Sequence, residues 1–270
     1  MMAKRVKKQK PVGTREWYDF VGQLADILPE LHPGGQDATR ALLEMCGLDA
    51  TSRVLDVGCG SGNTASLIAK EYGSQVYGID ISEVMIAKAK ERAQRQGLTE
   101  RLEFRVADVF DLPFEDDWFD VVILESVLTP LPGDKKQAMM EMVRVVRLGG
   151  RVAANEGTVD PGSPPEFLAV LAEHPAFHGY FTPETLRSLF EESGLEVVDT
   201  REAKALEAPK ASKRMGLRGL LAFMVRDYPK LLMRLARDEQ IRAARKIDEE
   251  VTKRGQEYMG YALIVGQKPQ

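Results

Sequence analysis

Acidic residues recur where the predicted strands end, and they are the residues best suited to bind a polar ligand. Asp56 lies in a short apolar run, Asp80 ends the next predicted strand, and Asp108 ends the third. Glu125 and Glu156 come at or just after the ends of two later strands. A carboxylate in such a position can accept hydrogen bonds from ribose hydroxyls or from an adenine amino group. Any one of these acids could instead be a helix cap. Five acids at corresponding strand ends favour a single ligand-binding site at one edge of the sheet.

A glycine-rich turn follows the first predicted strand, within the sequence RVLDVGCGSGN at residues 53–63. Gly58, Gly60 and Gly62 separate this strand from a helix that begins near Asn63. Glycine lets backbone N–H groups approach a ligand at the positive end of a helix, so the turn suits a nucleotide-type group. The spacing misses the dinucleotide pattern G-x-G-x-x-G by one position, and a tight turn without a ligand is the alternative.

The elements that position these residues alternate along the chain. Apolar runs predict strands at 53–57, 75–80, 102–107, 119–125 and 150–155. Apolar residues at helical spacing predict helices at 63–72, 83–96 and 135–146. This alternation predicts an α/β fold with right-handed βαβ units and a parallel sheet. Such sheets bind ligands beyond the carboxyl ends of their strands, where the acids lie.

The composition is ordinary for a globular protein and excludes several classes. With 270 residues and a net charge of −4, the chain suits one large domain and gives no strong nucleic-acid signal. Its two cysteines and three histidines show no metal-ligand spacing, so we expect no metal. No apolar run approaches a membrane span and no signal peptide is visible, so we expect a cytoplasmic protein.

Four ordered motifs carry a resemblance to a known family. They are VLDVGCGSGN at 54–63, VYGIDIS at 76–82, VADVFDLPFEDDWFDVV at 106–122 and EMVRVVRLGGRV at 141–152. Over roughly residues 37–200 the sequence resembles a class I S-adenosylmethionine-dependent methyltransferase, in the group that includes the quinone-biosynthesis C-methyltransferases. The resemblance implies a Rossmann-like, seven-stranded, mostly parallel sheet with helices on both faces and the last strand antiparallel. The sequence departs from the family pattern at two places. It has no proline before the paired glycines Gly149 and Gly150, and it has Glu125-Ser126 where an Asn or His is more common at the strand end.

The resemblance also implies cofactor-binding roles, position by position. The methionine part of S-adenosylmethionine is expected near Asp56 and the glycine turn, the ribose at Asp80, and the methionyl amine near Glu125. The adenine is expected between Ile81, Asp108 and Val109. The implied set further includes Tyr18, Gly34, Gly35, Gly58, Cys59, Gly60 and Asn63. Of these, Tyr18 is expected to close over the methionine end, and the amides of Gly34 and Gly35 to approach its carboxylate.

Three residues are candidates on the acceptor side. Glu156 is the first choice for a carboxylate near the acceptor, with a loop cap as the alternative. His178 and Tyr180 lie in a loop expected to face the same mouth, although a lone loop histidine is more often a surface residue. A base is needed only if the acceptor must lose a proton during transfer.

The expected domain bounds are 1–35 for an N-terminal arm and lid, 36–202 with 258–270 for the cofactor domain, and 203–257 for a helical insertion between strands six and seven. Residues 203–240 hold nine Lys or Arg against four Asp or Glu. We interpret the insertion as a cap over the acceptor pocket. The alternatives are a peripheral helical pair, a dimer contact, or a basic face at residues 211–245 that lies on a membrane.

The predicted function is methyl transfer from S-adenosylmethionine to a small-molecule acceptor, leaving S-adenosylhomocysteine. The alternatives are a membrane lipid, quinone or macromolecule docked on the basic insertion, an NAD-binding oxidoreductase, or an inactive nucleotide-binding module. The sequence contains no Asn/Asp-Pro-Pro-aromatic tetrapeptide, which argues against a nucleic-acid base as acceptor. The sequence leaves open whether the chain forms a homodimer.

Overall fold

The structure is a computed structural model that describes residues 13–22, 32–175, 177–204, 233 and 236–270. Three sequence predictions fall wholly or largely outside these residues. They are the basic arm at 1–12, the proline-rich loop up to residue 31, and most of the 203–257 insertion.

A seven-stranded sheet forms the centre of the fold, in the order β3-β2-β1-β4-β5-β7-β6. β7 runs antiparallel to both of its neighbours, while β1 to β5 pair in parallel. This confirms the predicted α/β, Rossmann-like class with an antiparallel last strand. The strands are β1 (Arg53–Val57), β2 (Gln75–Asp80), β3 (Leu102–Val106), β4 (Phe119–Glu125), β5 (Val146–Val159), β6 (Glu196–Lys204) and β7 (Met259–Gln267).

Helices cover both faces of the sheet because successive strand residues are apolar on both sides. Val54 packs into the cluster formed with α2, α3 and α4, and the next residue, Leu55, packs into the opposite cluster with α5 and α7. The described helices are α1 (Thr14–Gly22), α2 (Gly35–Cys46), α3 (Asn63–Glu71), α4 (Glu83–Gln96), α5 (Lys135–Val145), α6 (Pro165–Glu173), α7 (Pro183–Glu192) and α8 (Glu239–Tyr258). In the described chain, none of these is long and apolar enough to cross a membrane.

Local sequence explains where several of these elements begin and end. Ser82 accepts the Met85 N–H as the N-cap of α4, and Gly97 ends that helix in the left-handed conformation. β5 is longer than the predicted 150–155, because the antiparallel β7 pairs with it as far as Val159. β1, β2, β4 and α4 keep the predicted bounds to within a residue.

Candidate functional site

A cavity of about 640 Å³ lies at the carboxyl ends of β1, β2 and β4. Its walls are the glycine turn after β1, the loops after β3 and β4, the helix α1 and the side chain of His178. Gly58 takes a φ of 66°, and a Cβ there would come 2.6 Å from a methyl group of Val127. The turn therefore needs glycine both for its conformation and for its approach to the opposite wall.

Asp80 lies in the cavity between the glycine turn and α4. One carboxylate oxygen accepts the Gly60 N–H at 2.9 Å, and the other accepts the Ser82 N–H at 2.8 Å. Burial raises the pKa of the Asp80 carboxyl above its usual value, although these backbone bonds oppose the rise. Each oxygen keeps a further lone pair that can accept a ligand hydroxyl.

Asp56 is buried and only partly satisfied. Its carboxylate accepts the Ala65 N–H, but its Oδ2 atom has no hydrogen-bond partner. Burial, followed by the charge of Glu125, raises the pKa of Asp56 well above its usual value. An unpartnered buried carboxylate oxygen beside a second acid is a place where a cationic ligand group would be stabilised.

Glu125 accepts hydrogen bonds from three protein side chains. Thr64 donates to Oε1 at 2.7 Å, while Thr39 and Asn155 donate to Oε2 at 3.0 and 3.1 Å. His32 Nδ1 lies 3.4 Å from the same Oε2 atom. Glu125 therefore ties β4 to α2, α3, β5 and the segment before α2, and it also lines the cavity.

Asp108 and Val109 line the cavity on the loop after β3, and Ile81 lines it on the far side of Asp80. Ile81 is 46 % exposed although its side chain is large and apolar, as expected where a ligand ring would cover it. Arg144 of α5 holds the loop by donating to the carbonyls of Leu112 and Phe114 at 3.0 and 2.9 Å.

The structure brings some of the predicted acceptor residues to the cavity but not all of them. His178 lines it, whereas Tyr180, two residues further on, is 48 % exposed and lies outside the lining. Gly34 and Gly35 also lie outside the lining, where Gly34 is the left-handed N-cap of α2 and is packed against Tyr261. The expected approach of these two glycine amides to the ligand is therefore not part of the described cavity.

Glu156 differs most from its expected place. It is fully buried, and its Oε1 accepts the N–H groups of Val127 and Leu128, both at 2.7 Å. Its Oε2 accepts the Thr129 N–H at 3.2 Å and the Thr129 hydroxyl at 2.9 Å. Burial raises the pKa of Glu156. As a correction to the sequence prediction, Glu156 does not line the cavity but fixes the loop that does.

Helix α1 contributes Thr14, Arg15 and Tyr18 to the lining of the cavity. Thr14 Oγ1 lies 2.7 Å from His178 Nε2 and donates to the Pro175 carbonyl at 3.1 Å. Burial, and then the charges of nearby carboxylates, raise the pKa of the Tyr18 hydroxyl. Tyr18 therefore remains an uncharged phenol in the cavity wall.

Sequence reasoning missed His32, Thr64 and Ser126, all of which line the cavity. Ser126 has a φ of 55°, a strained conformation for a residue other than glycine, and it follows Glu125 directly at the end of β4. Its place at a strand end was a usable signal. No local sequence pattern pointed to His32 or Thr64, because their contacts are with residues far apart in sequence.

A Rossmann-like sheet with a glycine turn and acids at its strand ends is typical of α/β domains that bind a nucleotide-type cofactor. Residues 48–202 match the family described as "Methyltransferase domain". Because this match covers more than half of the chain, the protein belongs to that family and is a class I S-adenosylmethionine-dependent methyltransferase.

Two curated relatives are similar over most of this region. Methyltransferase GfsG of Streptomyces halstedii is 32 % identical over 66 % of this chain and 65 % of its own length. The 27-O-demethylrifamycin SV methyltransferase of Amycolatopsis mediterranei is 34 % identical over 57 % of this chain and 61 % of its own length. The chain thus matches slightly less than two thirds of either relative.

One solved structure is similar to this chain over nearly the whole length of both proteins. The crystal structure of the [4+2]-cyclase SpnF is 22 % identical with a TM-score of 0.72, covering 97 % of this chain and 98 % of the other. At this identity the likeness shows the fold alone. Since that protein is named a cyclase, the fold by itself does not fix the reaction.

The residues of the cavity fit S-adenosylmethionine. The unpartnered Asp56 Oδ2 atom suits a cationic group, and Asp80 keeps lone pairs for ribose hydroxyls. The half-exposed Ile81 with Val109 provides apolar surface for a purine.

Proposed function

We propose that this methyltransferase acts on a small, mainly apolar acceptor that carries a hydroxyl group. The observation that carries the proposal is the mixed lining of one cavity. Its lining includes Asp56, Asp80 and the glycine turn, and it also includes an apolar wall, which is formed by Val127, Pro130, Leu131 and Pro132. The acceptor would lie against this apolar wall, beside the cofactor.

The charges of the lining disfavour an anionic acceptor. The carboxylates of Glu16, Asp56, Asp80, Asp108 and Glu125 line the cavity together with the guanidinium of Arg15, and Arg15 is itself paired with Glu83 at 3.4 Å. This excess of negative charge disfavours a phosphorylated acceptor. The 27-O-demethylrifamycin SV methyltransferase, a relative, is named for methylation of an oxygen on a natural product.

When bound, S-adenosylmethionine supplies a methyl group made electrophilic by its sulfonium. The protein must align the acceptor and exclude water, and alignment contributes up to about 7–11 kcal/mol at its ceiling. Tyr18 of α1 and the wall residues Val127 and Leu131 enclose the acceptor side. His178 is the proposed proton acceptor for the hydroxyl.

His178 Nε2 lies 2.7 Å from the Thr14 hydroxyl, so a contact with α1 holds the ring at the cavity wall. A ring nitrogen without a proton is the atom that would accept the hydroxyl proton. Tyr180 lies outside the cavity and takes no proton in this scheme.

The test is methyl transfer to a panel of neutral phenols and hydroxylated polyketides, with phosphoethanolamine as the charged comparison. We expect transfer to neutral hydroxyls, and a loss of kcat of about 10²–10⁴-fold in His178→Gln at unchanged S-adenosylhomocysteine affinity. Tyr180→Phe is the matched control and should retain activity. Transfer only to the phosphorylated compound, or full activity in His178→Gln, would overturn the proposal.

The proposal keeps the expected division into an arm and lid, a cofactor domain and a cap formed by the 203–257 insertion. Peripheral membrane contact through residues 211–245, a homodimer and a cytoplasmic location remain secondary proposals. If the basic insertion docks a lipid or macromolecule, activity should fall steeply with added salt. Activity on a small neutral acceptor should change little.

A further inference from the structure

Ser126 is held in a backbone conformation that serine rarely adopts. Its φ is 55°, in the left-handed region that favours glycine. Among the described residues, Asp117 is the one other non-glycine residue with a positive φ. Asp117 is exposed, and aspartate tolerates this region better, whereas Ser126 is half-buried in the wall of the cavity. Strain of this kind at a ligand site indicates a use for the side chain.

Hydrogen bonds to β5 hold the chain in this conformation. The Ser126 N–H donates to the Asn155 carbonyl at 2.8 Å. The N–H groups of the next three residues, 127 to 129, all donate to the buried carboxylate of Glu156. Four consecutive backbone groups are therefore bound by two neighbouring residues of β5. Since none of these bonds uses the Ser126 side chain, a glycine would fit the same backbone without strain.

The hydroxyl of Ser126 is available to a ligand. Within the part of the chain that the structure describes, Ser126 forms its hydrogen bond through the backbone, and its side chain has no partner. The residue lines the cavity beside the apolar Val127. A serine hydroxyl offers one proton and two lone pairs, so it can bind a polar atom of a ligand in an otherwise apolar wall.

Ser126 lies between the cofactor side of the cavity and the proposed proton acceptor. The next residue, Val127, is so close to the glycine turn that a Cβ at Gly58 would come 2.6 Å from its methyl group. Two residues further on, the Thr129 carbonyl accepts the His178 N–H at 2.9 Å. A chain extends at most about 3.6 Å per residue, so Ser126 is within about 11 Å of Thr129. One short segment thus contacts both sides of the reaction site.

We propose that the Ser126 hydroxyl donates a hydrogen bond to the acceptor oxygen that receives the methyl group. This rests on the proposed function. One lone pair of the acceptor oxygen takes the hydrogen bond, and another attacks the methyl carbon. The O–CH₃ bond forms as the S–CH₃ bond breaks, the sulfonium becomes a neutral thioether, and the hydroxyl proton passes to the His178 ring. Ser126 therefore orients the acceptor and selects for oxygen.

The first test compares an oxygen acceptor with a sulfur acceptor. The probes are the phenol of the panel that the wild type methylates fastest and the thiol with the same carbon skeleton. Sulfur is a weak hydrogen-bond acceptor, so the thiol gains little from the Ser126 hydroxyl. Ser126→Ala should lower kcat/KM for the phenol about 3- to 10-fold more than for the thiol. Ser188→Ala removes an exposed hydroxyl on α7 and is the matched control, which should change neither value.

A second variant separates the hydroxyl from the strain. Ser126→Gly removes both, whereas Ser126→Ala removes the hydroxyl and keeps the strained backbone. Ser126→Gly should therefore melt at a higher temperature than Ser126→Ala and show the same loss on the phenol. Wild-type activity on the phenol in Ser126→Gly would overturn the proposal, because the hydroxyl would then be dispensable. A lower melting temperature in Ser126→Gly would remove the strain argument and count against it as well.

Cofactor affinity separates the remaining outcomes. Ser126→Ala should bind S-adenosylhomocysteine as tightly as the wild type in isothermal titration calorimetry. A weaker affinity would assign the hydroxyl to the cofactor, and an equal loss for phenol and thiol would show no preference for oxygen. Either result would overturn the proposal and leave the proposed function intact. If the wild type methylates no neutral hydroxyl, the proposed function itself fails.

Discussion

Asp80 and Asp56 end or adjoin neighbouring strands and line the same cavity, yet their surroundings differ. Asp80 accepts two backbone N–H groups, one from each side of the crevice. Asp56 has a carboxylate oxygen with no partner. Burial raises the pKa of both, but for Asp56 the charge of Glu125 adds to the rise. The two acids should therefore respond differently to mutation.

Asp80→Ala is expected to weaken S-adenosylhomocysteine binding about 10- to 100-fold, because it removes the acceptor proposed for the ribose hydroxyls. The domain should still fold, since the side chain holds only two backbone groups at the surface of the crevice. Isothermal titration calorimetry measures the affinity. Asp111→Ala removes an exposed acid on the nearby loop and is the matched control. Equal affinity in Asp80→Ala and the wild type would contradict this placement of the ribose.

Asp56→Asn should stabilise the ligand-free protein at neutral pH and weaken S-adenosylhomocysteine. A carboxyl whose pKa is raised on folding destabilises the fold once it ionises, and this cost grows as pH rises from the usual carboxyl range to the raised pKa. The variant should therefore melt higher than the wild type at about pH 8 and equally at about pH 4. Thermal unfolding across this pH range measures the effect. A difference that is largest at low pH would have the wrong sign.

At the scale of elements, Glu156 links β5 to the loop that follows β4. Its oxygens take four hydrogen bonds from residues 127–129. The Thr129 carbonyl in turn accepts the His178 N–H at 2.9 Å. The end of β5 thus positions both the apolar wall and the proposed proton acceptor, through one buried carboxylate.

Glu156→Gln should destabilise the protein by about 2–4 kcal/mol, because the new NH₂ group would face backbone donors in a buried site. Hydrogen exchange of the amides of Val127 and Leu128 should accelerate more than exchange in β1. Glu192→Gln, which changes an exposed glutamate on α7, should shift stability by less than about 0.5 kcal/mol. Unfolding in urea and exchange mass spectrometry measure both effects. Wild-type stability and exchange in Glu156→Gln would contradict the positioning role.

At the scale of the molecule, the site exists only because distant parts of the chain meet. α1 lines the cavity and contacts the start of α4 through Asp19 and Ser82. It also contacts His174 through Trp17 and Pro175 through Thr14. α8 packs on α1 through Ile241 and Ala244. Ligand binding should accordingly stabilise the whole domain.

S-adenosylhomocysteine at about 100 times its Kd should stabilise the protein by about 2.7 kcal/mol and raise Tm by about 5–10 °C. NAD at the same concentration should leave Tm unchanged, because the turn departs from the dinucleotide spacing. Differential scanning fluorimetry measures both. Stabilisation by NAD instead would favour the oxidoreductase alternative, and a response to neither would favour an inactive module.

The sequence alone predicted the alternating elements and the strand-end positions of Asp56, Asp80, Asp108 and Glu125. These are local properties: apolar spacing selects a strand or a helix, and the carboxyl ends of parallel strands share one edge. The glycine turn was predicted for the same reason, because its conformational need is local. The ordered motifs added the family, which the comparison of residues 48–202 confirms.

Only the tertiary structure decided which way the strand-end side chains point and which distant groups meet them. Glu156 was expected just after the end of a strand, but it lies within the longer β5 and turns to the loop after β4, where three backbone N–H groups donate to it. Glu125 and His32 are 93 residues apart by their numbers, and their contact depends on how α2 packs against the sheet. The spacing of apolar residues and glycines along the chain determines where strands and turns form. Contacts between segments remote in sequence determine the electrostatic surroundings and the hydrogen-bond partners of each side chain in the site. No local sequence pattern encodes these contacts.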